Sequence, residues 1–201
     1  MTAKNNQEEL QTAVKTIIGL IGEDARRVGL QDTPRRVAKA YKELFAGYDE
    51  DALPAVTVFP NGEDGLVYDQ MIVDTGKFYS HCEHHMIPFF GTYTFAYIPS
   101  TEGNILGLSK VARVMDYFAA KLQVQERLGQ EVVDYLWSSL NAGTGEPPLG
   151  MAIALQATHM CKCMRGVRKE GLMTTVALKG AFRKDPAVKQ EFLSFINGGH
   201  K

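Results

Sequence analysis

No apolar run in this chain approaches the roughly 18–20 residues that a bilayer-spanning helix needs. Charge of one sign is missing too: 22 Lys and Arg stand against 23 Asp and Glu, a formal net charge of −1. The first absence argues against a membrane span. The second leaves no overall basic field to draw the chain to nucleic acid, so a phosphate-bearing ligand must be met by local Lys and Arg. Met1 to Leu10 is polar and has no apolar core of the secretory kind, so no export signal is expected and a cytoplasmic location follows by default. Cysteine is scarce, with only Cys82, Cys161 and Cys163. An odd, small number gives no disulfide framework and leaves metal binding or catalysis as the uses to consider. Internal repeats and low-complexity tracts are also lacking. What remains is an ordinary globular composition, 45% hydrophobic and 22% charged over 201 residues, enough for one domain or one domain with a helical extension.

Leu10, Val14, Ile17, Ile18 and Ile21 fall on one face of an amphipathic helix, with residues 1–8 expected to fray ahead of it. A second helix is expected to open at Asp32-Thr33-Pro34, with Thr33 as its N-cap and Pro34 in its first turn. Its stripe is Val37, Tyr41, Leu44 and Phe45, and Gly47 stops it. Residues 47–66 are rich in Gly, Pro and Asp and read as a connecting loop. Residues 71–82 and 89–99 are β-branched and aromatic, with Tyr93, Phe95 and Tyr97 in period two; they read as two strands joined through His81–Pro88. Ser109 is placed as the cap of a helix bearing Val111, Met115, Phe118 and Leu122, followed by a helix over 124–140 bearing Leu128, Val132 and Leu136. After a Gly- and Pro-rich stretch from Asn141 to Pro148, strands are expected over 149–161 and 173–182, then a short helix from Pro186 to Ile196. Paired strands separated by paired helices predict an α+β fold, an antiparallel four-stranded sheet with helices on one face. Such a sheet has open edges and an uncovered face, for which association into an oligomer is a natural remedy.

The densest chemistry is Cys82-Glu83-His84-His85, with a second half in His159-Met160-Cys161 and with Cys163 and Arg165 close behind. Zinc prefers thiolate and imidazole, and a hydrolytic zinc site keeps three protein ligands and one position for water, whose pKa the metal lowers. A tight turn can bring Cys82 and His85 onto one ion, and Cys161 from a distant strand can supply the third ligand. If residues 149–161 are a strand, His159, Cys161 and Cys163 share one face, so either thiol of the last pair could be a bystander in the core. His84 and His159 remain as imidazoles beside the metal, suited to proton transfer near neutral pH. His81 reads as a turn residue, and His200 sits in the tail.

Four stretches then carry a family likeness: Cys82-Glu83-His84-His85; Gly107-Leu108-Ser109-Lys110; Gln123-Val124-Gln125-Glu126-Arg127-Leu128; and Ala157-Thr158-His159-Met160-Cys161 followed by Met164-Arg165-Gly166-Val167. With Asp32-Thr33-Pro34-Arg35-Arg36-Val37-Ala38 near the start, the chain resembles GTP cyclohydrolase I over almost its whole length, the motifs falling in that family's order and at about its spacing. The resemblance implies the tunnelling fold, two antiparallel strand pairs and two helices, with an N-terminal helical extension over 1–60 and a catalytic domain over 61–201. It implies pentameric rings stacked as a homodecamer, with active sites at subunit interfaces. It implies Zn2+ on Cys82, His85 and Cys161, and catalysis by His84 and His159. Gln125 and Glu126 would lie at the guanine end of GTP, Ser109, Lys110, Arg113 and Arg165 near its ribose and triphosphate, and Arg36 and Lys39 at further triphosphate contacts. A carboxylate suits guanine N1–H and its amine, and Arg and Lys suit phosphate. The implied reaction takes GTP and water to 7,8-dihydroneopterin triphosphate and formate, the first step of pterin and folate synthesis, with no redox cofactor. Two departures stand out. The segment from Gly166 to Val176 lacks a serine near Met173 that many members of the family have, and Cys163 is not a usual ligand position. Left open are a related purine or pterin enzyme of the same fold, a cyclohydrolase that stops early, and an oligomeric scaffold whose zinc is closed by Cys163. The zinc nucleobase deaminases are disfavoured, because their His-x-Glu and Pro-Cys-x-x-Cys pair is absent.

Overall fold

The computed structural model describes residues 3–107, 109–142 and 145–198; Leu108 of the Gly107–Lys110 stretch and His200 lie outside the described residues. Helix α1 (Ala3–Leu20) begins well before the expected apolar stripe and packs on α2 (Thr33–Leu44). Val14, Ile18 and Ala38 are buried there, while Ile17, Leu20 and Ile21 stay exposed. Thr33 is already inside α2. The cap position is Asp32, whose carboxylate makes no capping hydrogen bond and instead pairs with Arg35 at 3.2 Å and Arg36 at 3.7 Å. Gly47 does not end α2, which stops at Leu44. It is buried, a Cβ there would collide with the Tyr117 carbonyl oxygen, and its own N–H donates to the Ala120 carbonyl at 3.0 Å. The stretch read as a loop also contains a three-residue strand, β1 (Val58–Pro60), too short to show a period.

The central sheet follows the sequence pattern closely. Its strands are β2 (Ile72–Cys82) and β3 (Pro88–Ile98), then β6 (Gly150–His159) and β7 (Leu172–Gly180), all antiparallel to their neighbours. Between the pairs lie β4 (Asn104–Leu106), which pairs with β1, helix α3 (Lys110–Ala119), β5 (Leu122–Gln123) and helix α4 (Gln125–Asn141). The two residues of β5 add a parallel edge beside His81 and Cys82, giving the order β5-β2-β3-β6-β7. Leu122 therefore belongs to a strand, and α3 buries Val114 in its place.

Period two sets the core. Phe89, Tyr93, Phe95 and Tyr97 of β3 and Met151, Ile153 and Leu155 of β6 face α3 and α4, where they meet Val114, Met115, Leu128, Val132, Leu136 and Leu140. Each fully buried side chain of this size contributes roughly 1.5–3 kcal/mol of transfer free energy. Gly91 of β3 is pressed against β6, where a Cβ would collide with the Gln156 carbonyl oxygen. The expectation of helices on one face alone needs correcting. A short turn α6 (Ala181–Lys184) and helix α7 (Pro186–Gly198) set Phe182, Phe192 and Ile196 on the opposite face, over the small residues Ala96, Ala152 and Ala154. No described helix is long and apolar enough to cross a membrane.

Candidate active site

The first wall of the site is the reversal between β2 and β3. Cys82 is the last residue of β2, and the chain turns back at once: His85 N–H donates to the Cys82 carbonyl at 3.3 Å, Met86 N–H to the same oxygen at 2.8 Å, and Cys82 N–H to Ile87 at 2.9 Å. Met86 closes the turn in the left-handed region, at φ 55°, which a non-glycine residue adopts at some cost. The result lays His85 over Cys82, with Sγ 4.0 Å from Nδ1.

The second wall is the end of β6. The strand stops at His159, and Met160–Cys163 forms a helical turn, α5. His159, Cys161 and Cys163 therefore do not share a strand face, contrary to the expected alternation. Cys161 is turned toward Cys82 and His85, and the ligand atoms of these three residues lie within 4.8 Å of one another. Cys163 is outside that group, its Sγ 3.5 Å from the Lys169 carbonyl oxygen. Two thiols and an imidazole form a soft donor set that suits zinc, and donors on one tetrahedral ion stand about 3.3–3.8 Å apart, so the group needs only a small contraction to close. Burial, and then the hydrogen bond with Cys82, pushes the Cys161 thiol up from its ordinary value. Metal uptake would therefore release a proton there.

His159 is the most constrained of the imidazoles. It stacks on Phe89 with ring centroids 4.5 Å apart and planes within 3°. Its Nε2 lies 2.8 Å from Gln125 Oε1. Gln125 is buried, and its Nε2 donates to the Leu155 and Met173 carbonyls, both at 2.9 Å, and to Thr175 Oγ1 at 3.1 Å. Carbonyl oxygens only accept, so the amide cannot be flipped, and Oε1 must accept from His159. The His159 proton is thereby placed on Nε2, leaving Nδ1 as the free lone pair. Burial holds His159 below its ordinary pKa, with the nearby Glu126 carboxylate opposing and Lys162 adding to the shift. Glu126 is exposed beside it.

His84 is held far more loosely. Its side chain is 64% exposed, with Nδ1 3.6 Å from Cys82 Sγ and Nε2 3.9 Å from Glu83 Oε1. Arg165 reaches back to His85, its Nη1 2.8 Å from Nε2. A guanidinium has no acceptor, so His85 must accept there and carry its proton on Nδ1. Coordination through either nitrogen would require that contact to open. The remaining substrate-binding candidates stand apart. Ser109, Lys110 and Arg113 lie at or just before the start of α3, where Ser109 makes no capping hydrogen bond. Arg36 and Lys39 are exposed on α2. No hydrogen bond or ion pair among the described residues joins any of these five to the Cys/His cluster. A groove of about 440 Å³ between α1 and α2 also lies away from the cluster, lined by Gln11, Lys15, Arg26 and Gln31 among others.

Sequence reasoning missed the supports of the site. It assigns Gln125 to the guanine end of a ligand without foreseeing that the same side chain bonds His159, the Leu155 and Met173 carbonyls and the Thr175 hydroxyl. Phe89, the stacking partner, carries only the signal of its place in the β3 alternation. Glu83 and Arg127 lie inside the quoted motifs without an assigned role, and they form an ion pair, with Arg127 holding the Glu83 carboxyl below its ordinary range.

Known proteins resemble this chain over nearly its whole length. The sequence model described as GTP cyclohydrolase I matches residues 10–197. The protein named GTP cyclohydrolase 1 in Thermoanaerobacter pseudethanolicus is 42% identical over 193 residues, covering 96% of this chain and 97% of that protein. Its namesake in a Geobacillus species is 44% identical over 195 residues, covering 96% and 98%. That in Corynebacterium glutamicum is 41% identical, covering 96% and 94%. Among solved structures, the apo form of the archaeosine synthase QueF-Like aligns with a TM-score of 0.40 at 15% identity, covering 55% of this chain and 93% of that one.

Proposed function

The chain belongs to the GTP cyclohydrolase I family, and from that premise we propose that it hydrolyses GTP to 7,8-dihydroneopterin triphosphate and formate at the Cys82, His85 and Cys161 centre. The observation that carries this reading is the convergence of two thiols and an imidazole from two turns far apart in the sequence. Cys82 and His85 come from the first turn and Cys161 from the second, with two further histidines at hand.

The donor set fits zinc, and a zinc ion held by Cys82, His85 and Cys161 would supply a Lewis acid and a water of lowered pKa. The rest of the chemistry belongs to the chain. His159, with Nε2–H committed to Gln125, takes up and returns a proton at Nδ1, and its lowered pKa makes the protonated form a ready donor to a purine ring nitrogen. His84 is the second proton-transfer group, free to follow a substrate that changes shape. Glu126, exposed beside His159, accepts from guanine N1–H and its amine, while the backbone around Gln125 frames the same end. Arg165, Ser109, Lys110 and Arg113 meet the ribose and triphosphate, and Arg36 and Lys39 reach its far end. His84, His85, Glu126 and Arg165 are all exposed in the single chain. That openness supports a site completed by neighbouring chains, in a decamer of two pentameric rings. A cytoplasmic location fits a nucleotide substrate.

The test is incubation of purified, metal-replete protein with GTP, following formate and, after oxidation, pterin fluorescence. Both should rise together. Formate without fluorescence would mean a cyclohydrolase that stops early, and GTP left intact would overturn the assignment.

A further inference from the structure

The turn that carries Cys82, His84 and His85 is exposed from Glu83 to Met86 and ends in a left-handed Met86, so something must hold it in register. At the β5 edge it is tied by backbone, through the β5 pairing and the Glu83 N–H donating to Gln123 at 3.0 Å. The same edge is tied again by a side chain from α4. Arg127 Nε donates to Gln123 Oε1 at 2.9 Å, and Nη2 donates both to the Leu122 carbonyl at 3.1 Å and to Glu83 Oε2. Gln123 is itself buried and fixed, its amide donating to the Phe118 carbonyl at 3.0 Å and to Glu131 Oε2 at 2.7 Å. The guanidinium therefore stands on a base that cannot swing.

We propose that Arg127 is a positioning residue for the metal turn: it fixes Glu83 by one carboxylate oxygen and so keeps Cys82 and His85 at the spacing that grips a soft divalent ion. The other oxygen, Oε1, is left facing His84 at 3.9 Å. The inference rests on reading Cys82, His85 and Cys161 as metal ligands. An ion pair whose side chains are 42% and 35% exposed adds little to global stability. Its effect should appear in metal binding, since supports behind a ligand set commonly govern affinity about 10–100-fold. Only Arg can make the contacts to Gln123, Leu122 and Glu83 at once, because its donors form a rigid fork.

The experiment is zinc competition against a chromophoric chelator, with thermal unfolding of the metal-free proteins alongside. Arg127→Met should weaken zinc binding by about 10-fold or more, with metal-free melting close to the parent's, and Arg127→Lys should recover only part of the loss. Glu83→Gln, which leaves Arg127 in place, should weaken binding in the same direction and serves if Arg127→Met does not fold. Parent and variants binding zinc equally would overturn the positioning role alone. A parent that binds no zinc would overturn the metal reading and this inference with it.

Discussion

The two walls of the site hold their chemistry in opposite ways. The Cys82–His85 wall is one short turn of contiguous residues, exposed from Glu83 onward and braced by Arg127. The His159 wall gathers its support from β3, α4, β6 and β7, through Phe89, Gln125, Leu155, Met173 and Thr175. Two of three ligands can thus be written into one short turn, while the tautomer of a half-buried imidazole needs partners from across the fold. The contrast also separates two kinds of damage. Changes on the first wall should act on metal binding or on turnover and spare the fold, whereas changes to the supports of the second should act on turnover and on stability.

That separation is tested hardest at the histidines themselves. His159→Ala and His84→Ala should each lower turnover by about 10²–10⁴-fold, the usual span for a lost proton-transfer group, while zinc content stays at the parent's level. Normal turnover in both variants would remove their assigned roles. Gln125→Leu comes next. It strands buried carbonyls and frees the His159 ring, so unfolding in urea should show a loss of about 1–3 kcal/mol together with slower turnover. If stability falls and turnover does not, Gln125 is a core residue and nothing more.

A smaller effect is expected from pH. Burial holds both His159 and His81 below the ordinary 6.5 in the folded chain. Between those lowered values and 6.5 the unfolded chain binds more protons, so stability is complete above about pH 6.5 and is lost as pH falls through the folded values. Melting of metal-free protein should therefore decline from about pH 7.5 to about pH 5.5, and less steeply in His81→Leu. A melting temperature that rises as pH falls over that interval would contradict the assignment of half-buried, neutral imidazoles.

Much of this architecture was legible in the sequence, for reasons that can be named. Tyr93, Phe95 and Tyr97 alternate because one face of β3 is buried under α3 and α4, and that pattern located the strand. Cys82 and His85 were legible because their spacing is the span of one turn. Val58–Pro60 was not, since three residues cannot show a period. The strand face expected for His159, Cys161 and Cys163 failed because β6 stops at His159, and nothing in Met160–Cys163 marks the change to a helical turn. The end helix was found, but not its place over Ala96, Ala152 and Ala154, because short alanines read as neutral until a partner is seen on them. Gln125 shows the limit most clearly: its three acceptors come from strands far along the chain, and a glutamine in a helix carries no local sign of them.

Zinc-edge X-ray absorption on the purified protein would examine the metal centre itself. Two sulfurs and one nitrogen from the chain are predicted, with the remaining position filled by a light atom from solvent. A shell of three sulfurs and one nitrogen, which Cys163 would have to complete, would contradict a three-ligand hydrolytic centre.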